Sequence, residues 1–234
     1  MYKGYKIRAP YFEIGPKCFM WGKRMLKLAQ AVDRIAEKYD LDIIITPQYA
    51  DIRLIAENTS RIHVYAQHMD TLRPGRGLGS VLPESVKEAG AVGVMLNHAE
   101  KKLTLDQIRE SIARADEVGL ATIVCADSMA EASAIALLKP NIIVAEPSEL
   151  IGTGVSVGPE YVEAATRAVK DVNPDILVLT AAGIANGQDV YNTIIAGADA
   201  TGSSSGIAKA ADRAAMVDEM ISAVRRAWDA RHAK

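Results

Sequence analysis

The sequence predicts an α/β protein, a (β/α)8 barrel, on three observations. Strand-sized apolar runs alternate with longer amphipathic segments along all 234 residues. The runs are almost continuously apolar, as expected of parallel strands buried on both faces. Polar residues collect just after the runs, where a parallel barrel carries its chemistry. An open doubly wound sheet is the runner-up. No Gly-x-Gly-x-x-Gly follows the first run, which weakens a dinucleotide-binding version of it.

In order, the strands are expected near residues 11–15, 42–46, 62–67, 93–96, 121–125, 142–146, 175–180 and 200–203. The first (Tyr-Phe-Glu-Ile-Gly) and last (Ala-Thr-Gly-Ser) are weak; the middle six are clear. Amphipathic helices are expected at 23–39, 105–118, 129–138, 161–170, 189–196 and 211–230. Lys17 follows the first strand, Gln48 the second, and Gln67-His68 ends the third. Asn97-His98-Ala99-Glu100 follows the fourth, Glu146 ends the sixth, Gly183 follows the seventh, and Ser203-Ser204-Ser205-Gly206 closes the eighth. The signal is their shared position. No linker, low-complexity tract or charge block interrupts the pattern, so residues 1–234 are expected to form one domain.

Bulk composition narrows the function. Hydrophobic residues make up 49% and charged residues 24%, ordinary for a soluble globular protein. Lys and Arg (27) nearly balance Asp and Glu (29), which argues against nucleic acid or an anionic membrane as partner. Cys18 and Cys125 are not at metal spacing, and Cys125 ends an apolar run as a buried thiol would. His63, His68, His98 and His232 lie on different elements, so neither a metal nor another cofactor is expected. Free thiols, no signal-peptide core and no membrane-length apolar stretch together suggest a cytoplasmic protein.

The segment from Ile142 to Gly154 carries the most chemistry. Ile-Ile-Val-Ala ends in Glu146, then Pro147, and the segment closes in Gly152-Thr153-Gly154. That pattern delivers a carboxylate to a strand tip beside a loop stiff at its start and flexible at its end. Under a closed loop the carboxylate loses water, and its basicity toward a carbon acid rises.

Three motifs together resemble triosephosphate isomerase, especially its short archaeal form: Asn97-His98-Ala99-Glu100-Lys101-Lys102; Ala145-Glu146-Pro147 running to Ile151-Gly152-Thr153-Gly154; and Ala182-Gly183-Ile184 with Ser205-Gly206. Thr46-Pro47-Gln48, Tyr65-Ala66-Gln67-His68 and Val81-Leu82-Pro83-Glu84 are also similar to that branch. The resemblance implies a TIM barrel and an aldose–ketose isomerase of short sugar phosphates working through a cis-enediolate. It implies Glu146 as carbon base and His98 as the group that polarises the carbonyl and moves protons between the oxygens. A neutral imidazole suits that task, and this family is the standard example; a helix N-terminus near Asn97-His98 is expected to keep it neutral. Glu100 is a supporting acid or an ion-pair partner of Lys101 or Lys102. Gly152, Gly183, Ser205 and Gly206 are expected to offer backbone N–H groups to a phosphate, and residues 147–154 to form a lid. The family is oligomeric, so a homodimer or homotetramer is expected, with contacts in residues 65–90.

Departures from that family surround the substrate. Where the family carries Asn-x-Lys after its first strand, this chain has Gly15-Pro16-Lys17. Lys17 is therefore the electrophilic candidate, and at the substrate-side position Gly15 lacks a side-chain hydrogen bond. Leu78 stands where the family has Thr, Ser148 alters the lid, and Ala181 replaces a Gly beside the phosphate path. These changes fit retained isomerisation with a shifted substrate: a triose phosphate, or a related tetrulose or pentulose phosphate. The alternatives are a phosphate-binding epimerase or aldolase and a non-catalytic sugar-phosphate-binding protein. An aldolase needs a strand-borne lysine, and no clear one is seen.

Overall fold

In the computed structural model, which describes residues 1–4 and 7–233, eight parallel strands close into a barrel in sequence order. They are β1 (Tyr11–Ile14), β2 (Asp42–Ile45), β3 (His63–Ala66), β4 (Gly93–Leu96), β5 (Ala121–Ala126), β6 (Ile142–Ala145), β7 (Leu177–Thr180) and β8 (Ala200–Ser203). The two weak runs complete the ring, because β1 pairs with β8 from Tyr11↔Ala200 to Ile14↔Ser203.

Alternation along each strand divides the apolar residues into two sets. Phe12, Ile14, Ile43, Ile45, Val64, Val94, Leu96, Val124, Ile143 and Val178 face outward into the core beneath the helices. Tyr11, Ile44, Tyr65, Ile123, Cys125, Ile142, Val144 and Leu179 face inward and fill the barrel. Space inside is limiting: a Cβ at Gly93 would collide with the Tyr65 ring, so glycine on β4 admits an aromatic from β3.

The helices are α1 (Gly22–Tyr39), α2 (Ile52–Ala56), α3 (Pro83–Glu88), α4 (Leu105–Val118), α5 (Met129–Ala136), α6 (Pro159–Lys170), α7 (Gly187–Ile195), α8 (Ser205–Ala208) and α9 (Arg213–His232). Their ends follow local chemistry. A capping box joins Thr104 and Gln107 at α4, which stops at the left-handed Gly119. Asn186 caps α7, Asp212 caps α9, and Pro159 opens α6. Each side-chain cap contributes about 1 kcal/mol. The last helix packs against α7 and α1 and so bridges the two ends of the chain outside the β1–β8 seam. Among the described residues no helix is long and apolar enough to cross a membrane. The short helices α2, α3 and α8 were not expected; four to six residues are too few to show a helical period.

Candidate active site

The C-terminal ends of the strands surround a cavity of about 450 Å³. Lys17, His98, Glu100, Glu146, Gly15, Gly152, Gly183, Ser205 and Gly206 all line it. The structure thus brings together every candidate site residue. Its floor is the top inward layer of the barrel, with Met95, Cys125, Val144 and Leu179 as its apolar part.

Glu146 lies one residue past β6, and its N–H continues the ladder by donating to the Ala126 carbonyl at 2.9 Å. Its backbone is therefore fixed while its side chain enters the cavity. Burial raises its carboxyl above the ordinary value, against the opposing pull of Lys17 and of the Ala182 N–H. Ala182 has φ +86, a left-handed conformation unusual for a residue with a side chain.

Asn97 positions His98. It is buried at φ +57, and its Nδ2 donates to the Cys125 carbonyl and to Glu131 Oε1, both at 2.9 Å. Its Oδ1 accepts from the Leu103 N–H at 2.8 Å. His98 Nδ1 accepts from the Glu100 backbone N–H at 3.1 Å. A backbone N–H can only donate, so Nδ1 carries no proton and Nε2 is the N–H of a neutral ring. Burial lowers the imidazole's basicity, and nearby Lys17 and Lys102 lower it further against Glu100. The expected helix N-terminus is absent here. Residues 98–101 form a turn closed by Lys101 N–H to the His98 carbonyl at 2.7 Å, and α4 begins only at Leu105. Burial, two lysines and one backbone donor take that role.

Lys17 has φ +46, and its Nζ donates to Glu100 Oε1 at 2.8 Å. Glu100 therefore pairs across the cavity mouth with Lys17 rather than with its chain neighbours; Lys102 instead reaches Asp127. The hydrogen bond from Lys17 holds the Glu100 carboxyl below its ordinary value. The Lys17 carbonyl accepts from Gln48 Nε2 at 2.8 Å and Gln67 Nε2 at 3.2 Å, which fixes this strained residue from β2 and β3. The side-chain roles of Asn97, Gln48 and Gln67 were not foreseen, because a positioning residue acts through backbone groups distant in sequence.

The far wall is rich in backbone donors. Gly183 has φ +70, and a Cβ there would overlap the Val155 carbonyl and come 2.7 Å from Ser156 N. The backbone at Val155 and Ser156, just past the loop expected to form a lid, therefore rests directly on the Gly183 turn. Ser148–Leu150 forms one 3-10 turn in the loop expected to form a lid, and Gly152 and Gly154 are both left-handed at φ +77. A Cβ at Gly206 would come 2.7 Å from Ser203 Oγ and 2.8 Å from the Ile184 carbonyl, so glycine lets the β8 loop approach the β7 loop. The Ser204 Oγ is buried without a hydrogen-bond partner among the described residues, and Ser204 lines the cavity with Lys209. Neither had been singled out as a site residue.

One further group was missed. Glu13 on β1 points inward, is 8% exposed and lines the cavity. Among the described residues no three His, Cys, Asp or Glu side chains gather as metal ligands.

The sequence profile described as Triosephosphate isomerase matches residues 16–223. The chain belongs to the triosephosphate isomerase family. It is 40% identical to the triosephosphate isomerase of Methanocaldococcus jannaschii over 203 residues, which is 86% of this chain and 92% of that protein. It is 41% identical to that of Methanobacterium bryantii over 206 residues, 87% and 91% of the two chains. With that of Sulfolobus acidocaldarius it shares 35% identity over 229 residues, 96% and 99%. Membership makes this triosephosphate isomerase-family chain an enzyme of the aldose–ketose isomerase class, an intramolecular oxidoreductase.

Proposed function

We propose that the chain interconverts the aldose and ketose forms of a short sugar phosphate, the triose phosphate or a related tetrulose or pentulose phosphate, through a cis-enediolate. The observation that carries this reading is the pairing in one cavity of a buried carboxylate of raised basicity, Glu146, with a neutral His98 whose Nε2 bears the proton. Glu146 removes the proton on the carbon beside the carbonyl. The C–H electron pair forms the enediolate double bond, and the carbonyl electrons move to oxygen. His98 Nε2–H donates to that oxygen and recovers a proton from the neighbouring hydroxyl. Glu146 then returns its proton to the adjacent carbon, so the cycle needs no cofactor. Lys17 offsets charge on the phosphate and the developing oxyanion, with Glu100 holding its ammonium in place. Backbone N–H groups around Gly152, Gly183, Ser205 and Gly206 support a phosphate site, together with the Ser204 hydroxyl.

The longer-chain reading stays beside the triose because the cavity has room for more than three carbons and carries no side chain at position 15. The test is turnover of D-glyceraldehyde 3-phosphate, with Glu146→Gln as control. A kcat/KM near the diffusional ceiling of roughly 10⁸ M⁻¹s⁻¹ establishes the triose as substrate. A value orders of magnitude lower directs the search to tetrose and pentose phosphates. Near-full activity in Glu146→Gln refutes the mechanism, for which a loss of about 10²- to 10⁴-fold is expected.

A further inference from the structure

The cavity floor holds a buried acid that the isomerisation just described does not use. Glu13 faces inward from the middle of β1, level with Ile44 on one side and Gly202 on the other. Its Oε1 accepts from Thr46 Oγ1 at 2.9 Å. No hydrogen bond to its Oε2 is seen among the described residues, and Oε2 is not one of the sealed, unpartnered atoms, because Glu13 lines the cavity. Two glycines leave the carboxyl uncovered. A Cβ at Gly15 would sit 3.3 Å from Oε1 and 3.5 Å from Oε2, and a Cβ at Gly202 would sit 3.0 Å from Oε2. Any larger residue at either position would crowd the carboxyl or screen it from the cavity.

A buried carboxyl on the same cavity floor as Met95, Cys125, Val144 and Leu179 is costly to keep, and one hydrogen bond from Thr46 does not satisfy it. A purely structural acid would be enclosed with both oxygens bonded. This one has one oxygen fixed and one presented to the ligand space, as a recognition group requires.

We propose that Glu13 is a specificity-determining, substrate-contacting residue whose Oε2 accepts a hydrogen bond from a hydroxyl of the bound sugar phosphate, so that the site selects polyhydroxylated phosphates over deoxy ones. The proposal rests on the sugar-phosphate reading above and deepens it. Thr46 orients the carboxyl, and Gly15 and Gly202 clear the approach. Burial raises the Glu13 carboxyl to about 7, the Thr46 hydrogen bond and Lys17 opposing and Glu146 assisting. Tyr11 and Cys125 are the other titratable groups in its field, and burial pushes both well above their ordinary values. Glu13 therefore gains its charge, and its full strength as an acceptor, across neutral pH.

The test is a ligand cycle by calorimetry on the full chain, with glycerol 3-phosphate and propyl phosphate as probes. They share the phosphate and differ in two hydroxyls. Wild type is expected to prefer glycerol 3-phosphate by roughly 10- to 100-fold, and the preference should grow from pH 6 to pH 8. Phosphate ionisation is common to both probes and cancels. Glu13→Ala should reduce the preference about tenfold, while Glu13→Gln should reduce it less and flatten its pH dependence. Propyl phosphate affinity should stay within about twofold in both variants. A preference unchanged in a folded Glu13→Gln, or absent in wild type, overturns the proposal, as does lower thermal stability with unaltered preference. If Glu13→Ala does not fold, Glu13→Gln and the pH profile decide. A Glu13-dependent preference in a protein that isomerises no sugar phosphate keeps this site and refutes the isomerase reading alone.

Discussion

Gly183→Ala tests the contact between the backbone of Val155 and Ser156, at the end of the proposed lid, and the turn proposed to hold phosphate. The new Cβ overlaps the Val155 carbonyl and lies 2.7 Å from Ser156 N, whereas real side chains keep at least 3.0 Å from such atoms. The backbone of Val155 and Ser156 must retreat by about 1 Å, a misplacement that can cost about 10²-fold in rate when catalytic geometry depends on it. The backbone adds its own term. Alanine at φ +70 is strained by about 1–2 kcal/mol, offset by about 0.4–1 kcal/mol of lost unfolded-state freedom. A net loss near 1 kcal/mol should lower Tm by about 2–4 °C in a chain of this size. The expected result is a folded protein with kcat down about 100-fold. A poorly seated lid should also let the enediolate expel its phosphate, so inorganic phosphate released per turnover should rise. A coupled isomerisation assay with phosphate detection reads both. Activity within threefold of wild type, with no added phosphate release, would show that the lid does not need its rest on Gly183.

Lys17→Ala should raise KM and lower kcat together. Lys17 holds the Glu146 carboxyl down, so its removal should move the acid limb of the rate profile to higher pH, because the proposed mechanism needs Glu146 ionised; an unmoved limb would separate Lys17 from Glu146. Asn97→Ala deletes three hydrogen bonds at a buried left-handed position and should destabilise the protein by about 2–4 kcal/mol in denaturant titration while displacing His98. A loss under 1 kcal/mol would mean that the loop is held by other contacts. Glu13→Gln should be relatively more stable than wild type at pH 8. Because the folded carboxyl titrates near 7 rather than 4.5, its favourable contribution is present below pH 4.5 and lost as pH rises through 7, up to about 3 kcal/mol. Tm differences that do not narrow toward pH 5 would contradict that linkage.

Sequence reading reached the barrel because most of its strands announce themselves. Ile142–Ala145 has no polar residue, and only burial on both faces explains such a run. The four-residue β8, with Thr and Gly inside it, carried little signal, and only its pairing with β1 and β7 makes it a strand. Glu146, His98 and Gly183 were legible as cavity candidates because each sits just after a strand, and Gly152 because its Gly-Thr-Gly closes the loop after β6. Glu13 was not legible: it stands mid-strand, and a single acid in Tyr-Phe-Glu-Ile does not reveal which face it takes. Gln48, Gln67 and Asn97 act on the carbonyls of Lys17 and Cys125, contacts that require closure of the ring.

The sequence alone determined the alternation of elements, the barrel class and which polar residues follow the strands, because periodicity and side-chain chemistry are local properties. The tertiary structure decided which of these residues meet and in what protonation state. It paired Glu100 with Lys17, left His98 neutral without a helix N-terminus, seated Val155 and Ser156 on Gly183 and opened Glu13 to the cavity. Burial and through-space charge depend on groups from strands far apart in sequence, and those distances exist only once the ring is closed.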